Sequence, residues 1–410
     1  MRDPARVQAA IDILDQPATT ETPADRGLKG WARANRYAGS KDRRAIEAHV
    51  YAAIRQAHFA QWQMGEGTGR ALMIASLARD GADLESLFDG STHAPQPLTE
   101  AERAALSKEG APRHAALNVP AFLMDALEAR FGDELEAGLS ALNDRAPLDL
   151  RVNALKAEPG RAVARLIQEG FSPEPIEGLP HGLRLREGNV SHSNLYKTGL
   201  VEIQDAGSQW ASLFCGAQPG SQVIDYCAGA GGKALALAAL MDNHGQIYAY
   251  DNDASRLARL RPRANRAGAH SIQTVEDKDQ LPLADLVLVD APCSGSGAWR
   301  RGPETRWRLT PDRLDELQAL QAEILREAAG KVGAGGMLVY VTCSILPGEN
   351  EDQISQFLTD HPEFTLNSAT IGAKGETDGR LGGTVQLVPH RHDCDGFFMA
   401  RLQKQTGSEG

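Results

Sequence analysis

The sequence predicts an α/β protein: a doubly wound, Rossmann-like parallel sheet in the second half, preceded by a small α+β subdomain and an all-helical N-terminal domain. Three observations lead there. From Ser221 onward, short apolar runs alternate with helical segments. The runs are apolar at nearly every position, the pattern of parallel strands buried on both faces. The first run ends in a glycine-rich turn, where such sheets place their ligands.

In chain order, residues 1–143 read as helical, because apolar residues recur at spacings of three and four in "RVQAAIDIL", "RRAIEAHVYAAIRQAHFAQW", "GRALMIASLA" and "VPAFLMDALEARFG". After "NDRAPLDLRVNALKA" the texture changes to strand, helix, strand, which predicts the α+β subdomain over 144–203. The doubly wound domain then runs over 204–404. Its strands are "QVIDYCAG", "QIYAYDND", "ADLVLVDAPCSG" and "GGMLVYVTCSI", its helices lie between them, and "TVQLVPHRHDCDGFFMARLQ" closes it as an antiparallel pair. Residues 405–410 read as a disordered tail.

Composition narrows the class. The 410 residues, 42% hydrophobic and 24% charged, suit a soluble globular protein. The N-terminus lacks the continuous apolar stretch of a signal peptide, and no segment has the length of a membrane span. Five cysteines without a repeating frame suggest a reducing cytoplasm, where thiols stay available for chemistry. A net charge of −11 disfavours coating nucleic acid through bulk charge, but leaves room for local patches. One patch stands out: Arg26 to Arg55 holds eight Lys or Arg against two acids, with Trp31, Tyr37 and Tyr51 interleaved. It is either a solvated face or an RNA contact through Lys41, Arg43 and Arg44.

The turn "DYCAGAGGKA" lets backbone approach a ligand at Gly229, Gly231 and Gly232. It is not a phosphate loop, because Cys227 stands where that motif needs glycine and Ala234 follows Lys233. Asp251, ending the second strand, suits the ribose hydroxyls of a nicotinamide or an S-adenosylmethionine site, or else caps a helix. Lys233 faces either the site or solvent. The run His390, His392, Cys394 offers only three donors on one strand, so no metal is expected.

Two further strands end in cysteine, in "DAPCSGSG" and "VTCS". With "DYCAGAGGK", these motifs resemble the Sun/Nop/RsmB family of RNA (cytosine-5) methyltransferases. The resemblance extends through "LRVNALKA", "VEIQDAGSQWAS", "RRGPETRWRL", "ILPGENE" and "DGFFMARL", covering most of residues 147–404. In front of it, "RYAGSKDRRAIEAHVYAAIR" resembles the helical NusB-like domain of bacterial members. The resemblance implies a class I methyltransferase fold, S-adenosylmethionine as cofactor and RNA as partner. Ribosomal RNA is favoured, transfer RNA is the alternative, and a monomer without metal or membrane contact is expected.

The chemistry gives two thiols distinct work. Carbon 5 of cytosine is a poor nucleophile, so a thiolate must first add to carbon 6. The adduct must later lose a proton and expel the thiolate. By resemblance, Cys343 attacks and Cys293 assists release. Asp290 contacts the ring nitrogen beside the amino group, a role that wants a desolvated carboxyl able to donate a proton. Lys233 influences the thiolate or the cofactor carboxylate. The cofactor set is Asp225, Cys227, Ala228, Gly229, Gly231, Gly232, Lys233, Asp251, Asp277 and Asp290. Asp225 is expected at the amino acid end and Asp277 on the adenine side. For RNA, "WRRGPETRWR" offers Arg300, Arg301 and Arg306 at the site mouth, and "LRVNA" offers Arg151 and Asn153. Two rival classes remain: a non-catalytic ribosome-assembly factor, which needs no thiols at these turns, and a nicotinamide dehydrogenase, which leaves them unexplained. Buried small hydrophobes are the ordinary fate of free cysteines, and Cys215 and Cys394 fit it.

Overall fold

The computed structural model describes residues 1–16, 24–367, 381 and 383–406. By its contacts the chain forms two compact units, Met1–Asp144 with Ala298–Pro311, and Arg145–Gly297 with Asp312–Gly410.

The first unit is helical. The helices Asp3–Leu14, Ser40–Arg55 and Gly69–Arg79 turn apolar stripes inward, burying Val7, Ile11 and Leu14 against Ile46, Val50 and Ile54 and against Leu72 and Ile74. Thr68 starts the third of these by accepting the Ala71 N–H. The segment 298–311, placed by the sequence inside the 204–404 domain, contributes the short helix Pro303–Arg308 to this unit. Trp299 is fully buried, and Trp307 packs against the helical core.

The second unit holds two sheets. Strands β1 (Leu148–Val152), β2 (Glu174–Pro175), β3 (Gly182–Leu185) and β4 (Val201–Ile203) form an antiparallel sheet in the order β2-β3-β1-β4, covered by the helix Pro159–Gln168. The larger sheet has eight strands: β5 (Gln222–Asp225), β6 (Gln246–Ala249), β7 (Ile272–Thr274), β8 (Ala284–Asp290), β9 (Val332–Thr342), β10 (Phe364–Leu366), β11 (Thr384–Leu387) and β12 (Phe397–Lys404). Their order is β10-β12-β9-β8-β5-β6-β7, with β11 pairing β12. The five strands β5 to β9 run parallel, and β12 is antiparallel to β9.

This is the doubly wound architecture the sequence predicts. Helices such as Gly232–Leu240, apolar on nearly every side, can form only because sheet and neighbouring helix both cover them. Chain order reverses at β5, between β6 and β8, so the crevice for a ligand opens beyond the carboxyl ends of these strands. Two local expectations differ. The closing pair is interrupted by the helical turn Pro389–His392, so His390 and His392 do not alternate along a strand, and His392 Nδ1 meets the Val388 N–H at 2.9 Å. Gln405, expected in a disordered tail over 405–410, is held: its N–H binds the Glu363 carbonyl at 2.8 Å, and 407–410 lie outside the described residues.

Candidate active site

The register of β8 against β9 builds the centre of the site. Asp290 pairs with Val341, so the chains leave the sheet side by side, and the turns after them carry Cys293 and Cys343. Their Sγ atoms lie 3.4 Å apart. The Gly297 N–H pins the Cys343 carbonyl at 2.9 Å, and Gly297 crosses Gly396 so closely that any side chain there would strike the Gly396 carbonyl.

The two thiols are chemically unequal. The hydrogen bond to Cys343 pushes the Cys293 thiol well above the ordinary cysteine value; burial and the electrostatic influence of Cys343 and Glu349 add to it, and the Gly295 N–H opposes it. That upward shift favours the protonated form of Cys293, within hydrogen-bond reach of Cys343.

Beside them, Lys233 Nζ bridges Asp290 Oδ2 at 2.7 Å and sits 5.3 Å from the centre of the Phe397 ring. Burial alone would lower the Lys233 pKa, but the Asp290 carboxylate, helped by Cys343 and Asp225, carries it upward, so this buried amine stays an ammonium. The desolvated Asp290 expected from the sequence is corrected: its side chain is 34% exposed and ion-paired. Lys233 in turn is buried rather than solvent-facing.

A cavity of about 520 Å³ runs from this pair across the end of β5. Cys227, Asp251, Asp290, Cys293 and Cys343 all line it, together with Tyr226, Tyr250 and Ile324. Its size falls in the ordinary range for small-molecule sites. The loop beneath is shaped by Gly229 and Gly231, at φ of 54° and 82°, a region costly for other residues. The Gly229 N–H donates to Asp251 Oδ2 at 2.7 Å, the Asp253 N–H donates to Oδ1 at 2.8 Å, and the Ala228 N–H donates to the Tyr250 carbonyl at 2.8 Å. Asp251 is thus a buried acidic group fixed at the cavity wall, while Gly232 faces open space.

Several expected residues stand elsewhere. Asp225 is fully buried and does not line the cavity; neither of its carboxylate oxygens has a hydrogen-bond partner among the described residues. Burial and the neighbouring Asp290 charge push its pKa up to about 7, against the pull of Lys233. Asp277 is exposed and caps the following turn by accepting the Asp279 N–H at 3.0 Å, rather than facing the cavity.

The RNA candidates divide. Lys41, Arg43, Arg44 and Arg301 are exposed. The others are corrected to structural parts. Arg151 is buried, with Nε donating to Gln204 Oε1 at 2.6 Å, and Asn153 Nδ2 donates to the carbonyls of Gly199 and Ala267. Arg300 is also buried. Arg306 is 1% exposed, donates to the Arg55 carbonyl at 2.9 Å and to Asn143 Oδ1 at 2.6 Å, and is pulled down to about 9 by burial and by Arg55.

Sequence reasoning missed Glu349 and its serine partners Ser294 and Ser344. The available signal was a glutamate in "ILPGENE", directly after a strand-end turn and flanked by apolar sequence.

A Rossmann-like sheet with this strand order and a strand-end cavity places the chain among α/β proteins that bind a small ligand at the topological switch point. The family described as 16S rRNA methyltransferase RsmB/F matches residues 213–403, and the RsmF/B-like ferredoxin-like domain matches residues 119–191. A relative from Synechocystis sp., named "Probable ribosomal RNA small subunit methyltransferase B", is 34% identical over 78% of this chain and 74% of its own length. The ribosomal RNA small subunit methyltransferase B of Yersinia pseudotuberculosis is 34% identical over 70% of this chain and 66% of its own. Among solved structures, PH0851 superposes with a TM-score of 0.80 at 27% identity, covering 98% of this chain and 99% of that one. The chain belongs to the RsmB/F methyltransferase family.

Proposed function

We propose that the protein is an S-adenosylmethionine-dependent RNA (cytosine-5) methyltransferase acting on small-subunit ribosomal RNA, with Cys343 as nucleophile and Cys293 as the release residue. The observation that carries this reading is the sulfur pair at 3.4 Å, opening on the same cavity as Asp251.

The residues present fit the cofactor. Asp251 suits two ribose hydroxyls, the glycine loop allows close approach at Gly232, and Tyr226, Tyr250 and Ile324 offer flat apolar surface. When bound, S-adenosylmethionine supplies a methyl group made electrophilic by its sulfonium.

The chain's own groups do the rest. The Cys293 S–H and the Lys233 ammonium stabilise negative charge on the Cys343 sulfur, favouring the thiolate that adds to carbon 6. Asp290, held by Lys233 at the cavity wall, is placed to meet the ring edge bearing the amino group and to answer charge that builds there. After transfer, carbon 5 gives its proton to solvent water, the C–H electron pair restores the 5,6 double bond, and the Cys343 bond to carbon 6 breaks with the sulfur leaving as thiolate. The Cys293 S–H then hydrogen-bonds the departing sulfur. The N-terminal helices, with Lys41, Arg43 and Arg44 exposed, form the RNA-binding domain in this reading.

Bisulfite sequencing of small-subunit ribosomal RNA from cells with and without the gene tests it. Loss of one modified cytosine is expected; an unchanged ribosomal pattern with a lost transfer RNA site would move the substrate, and no lost site in either would overturn the activity.

A further inference from the structure

One carboxylate close to the thiols has no part in the reaction just described. Glu349 is completely buried, at the end of the turn Pro347–Glu349 that follows the Thr-Cys corner. Its Oε1 accepts the Ser294 N–H at 2.7 Å and Gln321 Nε2 at 3.1 Å; its Oε2 accepts the hydroxyls of Ser294 at 2.6 Å and Ser344 at 2.5 Å. Gln321 also donates to the Pro292 carbonyl at 2.9 Å, and the Glu349 carbonyl accepts the Tyr340 hydroxyl at 2.7 Å. No lysine or arginine pairs with Glu349 among the described residues.

A buried anion without a counter-ion is expensive to fold, and only full hydrogen bonding makes it tolerable. Every donor here is neutral, so the negative charge is not cancelled. The donors are also pointed: Ser294 follows Cys293, and Ser344 follows Cys343. Each oxygen therefore grips the chain one residue from a thiol. A neutral amide could fill the same space but could not accept four hydrogen bonds through both its ends.

We propose that Glu349 is a positioning residue for the cysteine pair: it bolts the Pro-Cys turn to the Thr-Cys turn, and its carboxylate makes the surroundings of the two sulfurs unequal. The inference rests on the covalent-cysteine reading. The groups facing Cys293 are Cys343, Glu349, the Tyr340 hydroxyl and the Gly295 N–H, with the Lys233–Asp290 pair beside Cys343. Of these, only Glu349 is an anion in direct contact with both turns without being exposed to the cavity.

The test uses the full chain carrying Glu349→Gln, with two readouts. Pulse alkylation by iodoacetamide from pH 6 to 10, read at each cysteine by peptide mass spectrometry, should show Cys293 reacting about one pH unit lower than in the wild type, roughly a tenfold gain at fixed pH. Steady-state methylation should lose kcat by about 100-fold from slackened geometry, with KM for RNA and for cofactor within about twofold. A folded Glu349→Gln with wild-type alkylation and kcat overturns the proposal. If that variant does not fold, Ser294→Ala combined with Ser344→Ala keeps the charge and removes both hydroxyl straps. A drop in kcat at constant KM then supports the proposal, and wild-type kcat overturns it. The two readings fail separately. If wild-type protein forms no covalent RNA complex while Glu349→Gln still shifts Cys293, the adduct mechanism falls and the positioning role stands. If the complex forms and Cys293 does not shift, the positioning role falls alone.

Discussion

The two strand-end turns are built alike and behave differently. Each ends a neighbouring parallel strand, each places a serine after its cysteine, and both serines bind the same carboxylate. Yet burial, Cys343 and Glu349 push the Cys293 thiol upward, while the Lys233 ammonium stands on the Cys343 side of the pair. Side-chain identity does not assign the two roles. In the proposed mechanism the charges that each turn meets assign them.

The strongest way to break this comparison is to delete the thiols in turn. Cys343→Ala should abolish methyl transfer, by about 10⁴-fold or more, and form no covalent complex with RNA on denaturing electrophoresis. Cys293→Ala should lose roughly 100-fold in multiple turnover yet accumulate a protein–RNA species that survives denaturation when cofactor is present. The reversed pattern would put the nucleophile in the Pro-Cys turn and invert the proton assignment; wild-type activity in both would return the cysteines to the core.

A change across the cavity sharpens the contrast. Asp251→Ala should weaken S-adenosylmethionine binding by about 1 to 3 kcal/mol in calorimetry, and leave the difference in alkylation between Cys293 and Cys343 unchanged. If that difference collapses, the cofactor loop rather than the local charges sets it. The smallest expected effects lie in the serines. Ser344 Oγ donates to Glu349, accepts the Leu346 N–H and meets Ser296, whereas the Ser294 backbone N–H keeps its bond to Glu349 whatever the side chain. Urea unfolding should therefore show Ser344→Ala costing about 2 kcal/mol and Ser294→Ala about 1 kcal/mol. The opposite order would mean that the Pro-Cys turn carries more of the shared network.

Much of this was legible beforehand for one physical reason: buried parallel strands must be apolar on both faces, so β5, β8 and β9 announce themselves, and whatever polar residue follows them stands at the ligand crevice. Cys293, Cys343 and Asp251 were found that way, whereas Asp290 came through the family resemblance. Glu349 was not, because its partners Ser294 and Gln321 lie 55 and 28 residues away and a glutamate reads as surface. Arg306 was misplaced for the converse reason: a basic and aromatic run suits a nucleic-acid face, and only its burial against the carbonyl of Arg55 and the amide of Asn143 shows otherwise. Asp277 failed more locally, because a carboxylate two residues before a free N–H satisfies that N–H first.

The return of Ala298–Pro311 to the helical unit has a consequence for how the protein is made. The first 144 residues leave the ribosome without Trp299, which is fully buried, and without Arg306, whose guanidinium meets the Arg55 carbonyl and the Asn143 amide. At translation speeds of about 5–20 residues per second, roughly ten to thirty seconds pass before that segment emerges. Until then the partners of Trp299 and Arg306 among the N-terminal helices stay uncovered. The helical unit therefore closes only after the whole stretch between its two parts has been made.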